Sequence, residues 1–204
     1  MTGRTPRRIL VNAMHKCDFP IDKRSWNPSL IPGPIVLIST VSAAGVPNVA
    51  PKSWVQMVAF EPPALMFSGT EGNPTENNIE ATKSFGINIV DETMLAGVLA
   101  CLRYRGPERI EKSGWTLEPA RKIAAPLVAD CSAHLECALA GTHSIGSGLV
   151  VFGRIVHARI DRCIAEAHAD DKYRLLRQVC FLEDGKYAVL SEIDEDWGLV
   201  FRQP

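Results

Sequence analysis

Three short segments hold the side chains of this sequence that are best suited to bind a ligand. They are PNVAPKSW at 47–54, PPALMFSG at 62–69 and PTENNI at 74–79. The first carries the amide of Asn48 and the indole of Trp54, and the second ends in Ser68 and Gly69. The third begins at a predicted helix start, where unpaired backbone N–H groups attract anions. Because an indole face also packs well against a planar ring, these segments predict a site for an anionic heterocycle.

The anionic end of such a ligand is expected at the third segment. Thr75 is in the position of a helix N-cap, and Asn78 lies one turn further on, so a hydroxyl, an amide and free N–H groups surround one point. A plain structural cap explains Thr75 as well. In the same way, Trp54 is compatible with the core, and Asn48 with stabilising the turn that precedes it.

The apolar pattern around these segments predicts mostly short antiparallel strands. Strands are expected at 35–40, 48–58, 64–67, 85–90, 132–140, 148–160 and 187–190, with hairpin turns at 42–45 and 141–147 and a turn at 183–185. Helices are expected at 75–83, from 91 or 93 to about 104, and at 165–179. Strands that outnumber helices and adjoin as hairpins favour a mainly β fold, an antiparallel barrel with flanking helices.

Composition narrows the classes of function. The 22 Lys and Arg residues balance 23 Asp and Glu residues, which disfavours nucleic acid as a partner. The longest apolar run, 94–102, is too short to span a membrane. Six cysteines without a CxxC pair predict no zinc site, and we interpret them as reduced thiols of a cytoplasmic protein.

Domain organisation follows from the absence of repeats and linkers. We expect a loose N-terminal arm at 1–31 and a single domain at 32–204. The sequence also contains no GxGxxG, Walker-type loop, HExxH or GxSxG motif, so a nicotinamide cofactor would have to bind without a Rossmann fingerprint.

The order and spacing of PNVAPKSW, PPALMFSG and TENNI resemble the flavin reductase-like family, the nitrilotriacetate monooxygenase component B type of FMN-binding split barrels. The family pattern is a P-G/P-N-x-A-P-x-S-W/F hairpin strand, a P-P strand ending near Ser, and then T-x-x-N-I on the following helix. The close match covers about 32–90, and a looser match continues to about 187. This resemblance implies a single-domain, homodimeric FMN-binding split barrel, with FAD as the other candidate flavin.

The resemblance also implies roles for individual residues. Asn48, Ser53 and Trp54 would surround the flavin ring and ribityl chain, with Ser68 and Gly69 beside them, and Thr75 and Asn78 would lie near the phosphate.

Two further residues follow from looser parts of the match. Lys112 falls roughly where the family brings a basic residue towards the flavin. His143 falls where the family commonly has Gly-Asp-His, on a turn near the flavin and the nicotinamide. Thr142 replaces that Asp, so the carboxylate that would orient the imidazole is missing.

Two functions fit this resemblance. The first is an NAD(P)H:flavin oxidoreductase, in which hydride passes from the nicotinamide to flavin N5 and the reduced flavin supplies a monooxygenase partner. This chemistry belongs to the cofactors and requires alignment more than acid or base groups, and no metal. The second is a flavin-bearing electron carrier or binding module with little NAD(P)H activity.

Overall fold

The computed structural model describes residues 31–182 and 185–191 of the 204-residue chain. Within this part, the strands are β1 (Gly33–Pro34), β2 (Val36–Val41), β3 (Pro47–Lys52), β4 (Val55–Phe60), β5 (Pro63–Gly69), β6 (Ser84–Ile89), β7 (Leu117–Glu118), β8 (Leu127–Val128), β9 (Ala133–Ile145), β10 (Gly148–Ile160), β11 (Val179–Phe181) and β12 (Tyr187–Val189). The helices are α1 (Pro74–Thr82), α2 (Leu95–Arg103), α3 (Gly106–Ser113), α4 (Arg162–Ala165) and α5 (Ala169–Leu176), with a 3₁₀ turn at Glu92–Met94. The arm predicted at 1–31 lies outside the described residues except for Ile31, and the predicted turn at 183–185 lies outside them except for Gly185.

The main sheet has seven antiparallel strands in the order β3-β2-β6-β9-β10-β5-β4. The hairpin between β2 and β3 turns at Gly45, whose φ of 80° favours glycine. Strands β3 and β4 are the two edges, and within the described residues no ladder joins them. The predicted mainly β, antiparallel split-barrel fold with flanking helices is confirmed. No helix in the described part is long and apolar enough to cross a membrane.

Strand β2 is buried on both faces because it separates two cores. Val36 and Ile38 pack into the first core, with Phe67 and Phe85 in edge contact at 5.4 Å between ring centroids. Leu37 packs into the second core, which α2 helps to cover. Burial on both faces explains why this strand reads in the sequence as a continuous apolar run rather than an alternating one.

Five local predictions were wrong in detail. The single strand predicted at 48–58 is broken at residues 53–54 into β3 and β4, which lie at opposite edges of the main sheet. Strand β9 continues to Ile145, so the segment at 141–145 is a strand and not part of the turn. The helix predicted at 165–179 is interrupted into α4 and α5, and Val179 enters β11. Helix α3 was missed because its Gly-Pro start reads as a break, although proline is well suited to the first turn of a helix. The N-cap position of α1 is Asn73, which makes no side-chain capping hydrogen bond, and not Thr75, because Pro74 takes the first helical position, where no N–H is needed.

A buried polar cluster fastens the segment around β7 and β8 to the main sheet. Asn88 Oδ1 accepts a hydrogen bond from the backbone N–H of Val128 at 2.8 Å, and His134 Nδ1 lies 3.0 Å from the same oxygen. Burial is the main cause that lowers the pKa of His134, and the nearby charge of Arg159 lowers it further. Burial alone would raise the pKa of Glu136, but hydrogen bonds from the backbone N–H groups of residues 121 and 122 and from His157 outweigh it and lower that pKa.

These pKa shifts predict that acid destabilises the fold. Because the pKa of His134 is lower in the folded chain than its ordinary value of 6.5, the unfolded chain takes up this proton first as the pH falls below 6.5, and the free energy of unfolding decreases. A second decrease in the free energy of unfolding is expected below pH 4.5, the ordinary pKa of a glutamate, because Glu136 is protonated first in the unfolded chain. Denaturant unfolding between pH 8 and 5 measures the first step. His134→Gln should flatten it, and an unchanged slope in this variant would contradict the assignment.

Candidate functional site

The connection between β3 and β4 is the centre of the candidate site. Gly33 of β1 presses against this connection so closely that a Cβ atom there would overlap the carbonyl oxygen of Ser53. The backbone N–H of Ser68 donates to the carbonyl oxygen of Trp54 at 3.0 Å, which ties the end of β5 to the same connection. These contacts of β1 and β5 with the connection before β4 hold Ser53, Trp54 and Ser68 close together.

An apolar cavity of about 520 Å³ opens beside this connection, between β1, β4 and β5. Its walls include Trp54, Gln56, Met66, Phe67 and Ser68. Its volume is within the range of roughly 300 to 1,000 Å³ that is typical of sites for small organic ligands. The Trp54 side chain is 54% exposed, so it lies in the wall of a cavity and not in the core. Both predicted serines, Ser53 and Ser68, line the same cavity.

A second cavity of about 180 Å³ lies between β3, the start of α1 and the corner between α2 and α3. We call it the cationic cavity because its charged lining residues are Lys52, Arg105 and Arg109 against one carboxylate, Glu76. Helix α1 begins after Asn73 and α3 begins after Arg105, and residues at both helix starts line the cavity. Two helix N-termini and three cations make this a favourable place for an anion.

Arg109 is held in place by backbone acceptors. Its Nη1 donates to the carbonyl oxygen of Val49 at 3.0 Å, and its Nε donates to that of Tyr104 at 3.2 Å. Burial lowers the pKa of Arg109, and the nearby charge of Arg105 lowers it further. Arginine nevertheless remains protonated at neutral pH, so two guanidinium groups repel one another here, and an anion between them would relieve that repulsion.

Lys52 stands between the two cavities. Its Nζ lies 2.6 Å from Glu76 Oε1 and 5.7 Å from the centroid of the Phe67 ring. Phe67 lines the apolar cavity, whereas Lys52 and Glu76 line the cationic cavity. The contact of Lys52 with Phe67 therefore connects the apolar cavity, suited to a planar ring, with the cationic cavity, suited to an anion.

The side-chain amides of Asn48, in the first segment, and Asn78, in the third, serve a buried network. Asn48 Nδ2 donates to Thr40 Oγ1 at 3.2 Å and to Thr75 Oγ1 at 3.0 Å, and Asn78 Nδ2 donates to Thr40 Oγ1 at 3.1 Å. Asn48 and Thr75 still line the cationic cavity, whereas Asn78 is not among its lining residues. The network thus positions the hairpin against the first turn of α1.

The structure places the remaining predicted residues as follows. Gly69 has no room for a side chain, because the carboxylate of Glu76 occupies the space of a Cβ atom. Lys112 lies on α3 with its Nζ 3.8 Å from Glu111, and it is not among the residues that line either cavity. His143 is exposed on β9, opposite Val150, which lines the apolar cavity. Within a single chain, His143 therefore lies on the strand next to the one that lines the apolar cavity, and it does not line that cavity itself.

Sequence reasoning missed the four charged residues of the cationic cavity. Lys52 belongs to the segment PNVAPKSW but was not predicted as a site residue. Glu76 directly follows Thr75 and was not predicted either. Arg105 and Arg109 belong to LRYRGPERI at 102–110, where a dense run of arginines meets a Gly-Pro helix start. That combination was the available signal for an anion site.

Taken together, the two cavities fit a ligand with a planar apolar ring at one end and a phosphate at the other. Within the described residues there is no group of three or more His, Cys, Asp or Glu side chains that could hold a metal ion. The apolar walls of the first cavity and the cations of the second support ligand binding by ring burial and anion contacts.

Comparison with known proteins identifies the family of this chain. A family model described as the flavin reductase like domain matches residues 29–177. An uncharacterized protein of Aquifex aeolicus is 30% identical over 167 residues, which cover 78% of this chain and 85% of that protein. Among solved structures, nitrilotriacetate monooxygenase component B from Bacillus cereus is similar, with a TM-score of 0.80 at 24% identity over 90% of this chain and 99% of that chain. Flavoredoxin of Desulfovibrio vulgaris has a TM-score of 0.70 at 21% identity over 80% and 90%. These two structural likenesses establish a shared fold.

Proposed function

The chain belongs to the flavin reductase-like domain family, and on that premise we propose that it is an NAD(P)H-dependent flavin reductase that binds FMN non-covalently, one per chain. The observation that carries this proposal is the pairing of an apolar cavity with a cationic cavity on either side of Lys52. FMN is preferred to FAD because the cationic cavity, of about 180 Å³, suits a single terminal phosphate.

The residues of this chain would hold the two ends of FMN differently. Trp54, Ser53 and Ser68 would hold the ring, because they line the apolar cavity. Arg105 and Arg109, with the first turns of α1 and α3, would hold the phosphate. The place of Thr75 in the cationic cavity supports its predicted role near the phosphate. Asn48 lines the same cavity and not the apolar one, so we propose it for the phosphate end of FMN and not for the ring.

When bound, a flavin supplies two-electron transfer between a reduced nicotinamide and an acceptor. The work left to this chain is to orient the two rings and to exclude water. Val55, Met66 and Phe67 provide apolar walls for that purpose. Such a site requires no acid or base pair, which agrees with a cavity lined mainly by uncharged side chains.

The proposal also includes the protein that uses the reduced flavin, the cellular compartment and the oligomeric state. Likeness to a monooxygenase component B supports a monooxygenase as the consumer of the reduced flavin. Buried, unpaired thiols at Cys101, Cys131 and Cys137 support the cytoplasm as the compartment. We also propose a homodimer, since β4 leaves an apolar edge beside the apolar cavity.

A second function is favoured by a different observation. His143 is exposed and has Thr142 in place of an acidic neighbour, so no carboxylate beside it in the sequence orients it for a nicotinamide. Likeness to a flavoredoxin supports an electron carrier with little NAD(P)H activity. Steady-state oxidation of NADH and NADPH, with free FMN, FAD or a ferric chelate as acceptor, separates the two functions.

His143→Ala is expected to slow flavin reduction by NAD(P)H by roughly 10- to 100-fold while FMN affinity stays unchanged, because misaligned reactants lose rate and not cofactor binding. Stopped-flow bleaching of the oxidised flavin band measures this step directly. Ser144→Ala, an exposed neighbour on β9, is the matched control. Unchanged bleaching in His143→Ala would make this histidine a bystander, and negligible bleaching in the unmutated protein would favour the electron carrier.

A further inference from the structure

One carboxylate lies inside the cavity that otherwise collects positive charge. Glu76 is 2% exposed, and its Oε1 lies 2.6 Å from Lys52 Nζ. Its second oxygen, Oε2, is buried and has no hydrogen-bond partner among the described residues. The backbone at Gly69 packs so tightly against this carboxylate that only glycine leaves room for it. The fold therefore accommodates a buried acidic group at the place where an anionic ligand is expected.

Glu76 occupies the same attractive features that a phosphate would use. It is the third residue of α1, where the N-terminal end of the helix stabilises negative charge. It also holds Lys52, one of three cations that line the cationic cavity. A ligand phosphate would thus meet a lysine that is already paired and a helix end that is already partly neutralised.

We propose that Glu76 is an internal anion that competes with the flavin phosphate for Lys52 and the α1 N-terminus, and that it thereby keeps FMN exchangeable. This inference rests on the proposed placement of the phosphate in the cationic cavity. It makes Glu76 an affinity-determining residue, and it makes the flavin a ligand that leaves between turnovers, as delivery to a separate monooxygenase requires.

A purely structural role for this ion pair makes a different prediction. If Glu76 only fastened β3 to α1, its removal would loosen both the hairpin and the helix start. The affinities for FMN and for riboflavin would then fall together, because the two ligands share the ring and the ribityl chain. Competition with the phosphate affects FMN alone, so the ratio of the two affinities separates the roles.

Glu76→Gln tests the proposal, because glutamine keeps the volume beside Gly69 and still accepts a hydrogen bond from Lys52. We expect FMN to bind about 10-fold more tightly, mainly through slower dissociation, and riboflavin affinity to stay within about twofold. Glu80→Gln is the matched control, since Glu80 lies one turn later on α1 in an exposed pair with Lys83. Fluorescence quenching gives the affinities, and stopped-flow release of FMN gives the dissociation rate.

Unchanged or weaker FMN binding in a folded Glu76→Gln protein would overturn the proposal. If that variant does not fold, Glu76→Asp provides the test, because it retains the charge but withdraws it from Lys52, and FMN should then bind about 3-fold more tightly relative to riboflavin. No gain in that ratio would also overturn the proposal. If Arg105→Gln does not weaken FMN relative to riboflavin, the phosphate placement itself is wrong, which distinguishes that failure from a failure of the role of Glu76.

Discussion

Replacing both Arg105 and Arg109 by glutamine is expected to weaken FMN binding by roughly 150-fold and to leave riboflavin binding within about threefold. Both guanidinium groups line the cationic cavity at the start of α3. A hydrogen bond to a charged group contributes about 1.5 kcal/mol or more, so the loss of two such contacts amounts to about 3 kcal/mol. Riboflavin has no phosphate, so the loss of these contacts should not weaken its binding in the same way.

Single variants and a matched control make this result specific. Arg105→Gln is the cleaner single change, because Arg105 is exposed, whereas Arg109 also donates to the carbonyl oxygens of Val49 and Tyr104. Arg103→Gln removes an exposed arginine from the last turn of α2, outside the cavity lining, and should change neither affinity. Titration of FMN and riboflavin by fluorescence quenching provides the comparison. A parallel loss of both ligands in the double variant would place the phosphate elsewhere.

The fold could be predicted from the sequence because its signals are local. Turn residues such as Gly45 bound apolar runs, and each hairpin of the main sheet joins neighbouring segments of the chain. The errors arose where a local signal is ambiguous. The polar stretch at 142–144 reads as a turn, yet it continues the ladder of β9 with β10, because exposed strand positions accept polar side chains.

The candidate site could be predicted only where its residues adjoin in the sequence. Trp54 and Ser68 line the apolar cavity, and Thr75 lines the cationic cavity, as their motifs suggested. Arg105 and Arg109 come from a helix that meets β3 only in the folded chain, through the bond from Arg109 to Val49. No spacing rule connects residues that far apart. The family resemblance named a basic residue on the same helix but at Lys112, one turn away from the cavity.

The homodimer is the remaining prediction with a large expected effect, and it concerns β4. Among the described residues this strand is an edge of the main sheet, with no strand paired to one side of its backbone, and it exposes apolar side chains along its length. Met57 is 43% exposed, Val58 45% and Phe60 88%. The first residues of β4 also line the apolar cavity, so a partner that covers β4 would close that cavity. We therefore expect FMN-loaded protein to have twice the chain mass of 22.3 kDa in light scattering.

Met57→Glu with Phe60→Glu should weaken this dimer by roughly 1000-fold, because the twofold axis would bury four unpaired carboxylates in an apolar interface. FMN affinity should fall with it, since each chain would lose the cover of its apolar cavity. Leu99→Glu is the matched control, because Leu99 is 52% exposed on α2, away from β4, and should leave both mass and affinity unchanged. Light scattering across a dilution series, with FMN titration on the same samples, measures both effects. A monomer mass for the FMN-loaded unmutated protein would contradict the dimer, whereas monomeric variants with full FMN affinity would show that each chain completes its own flavin site.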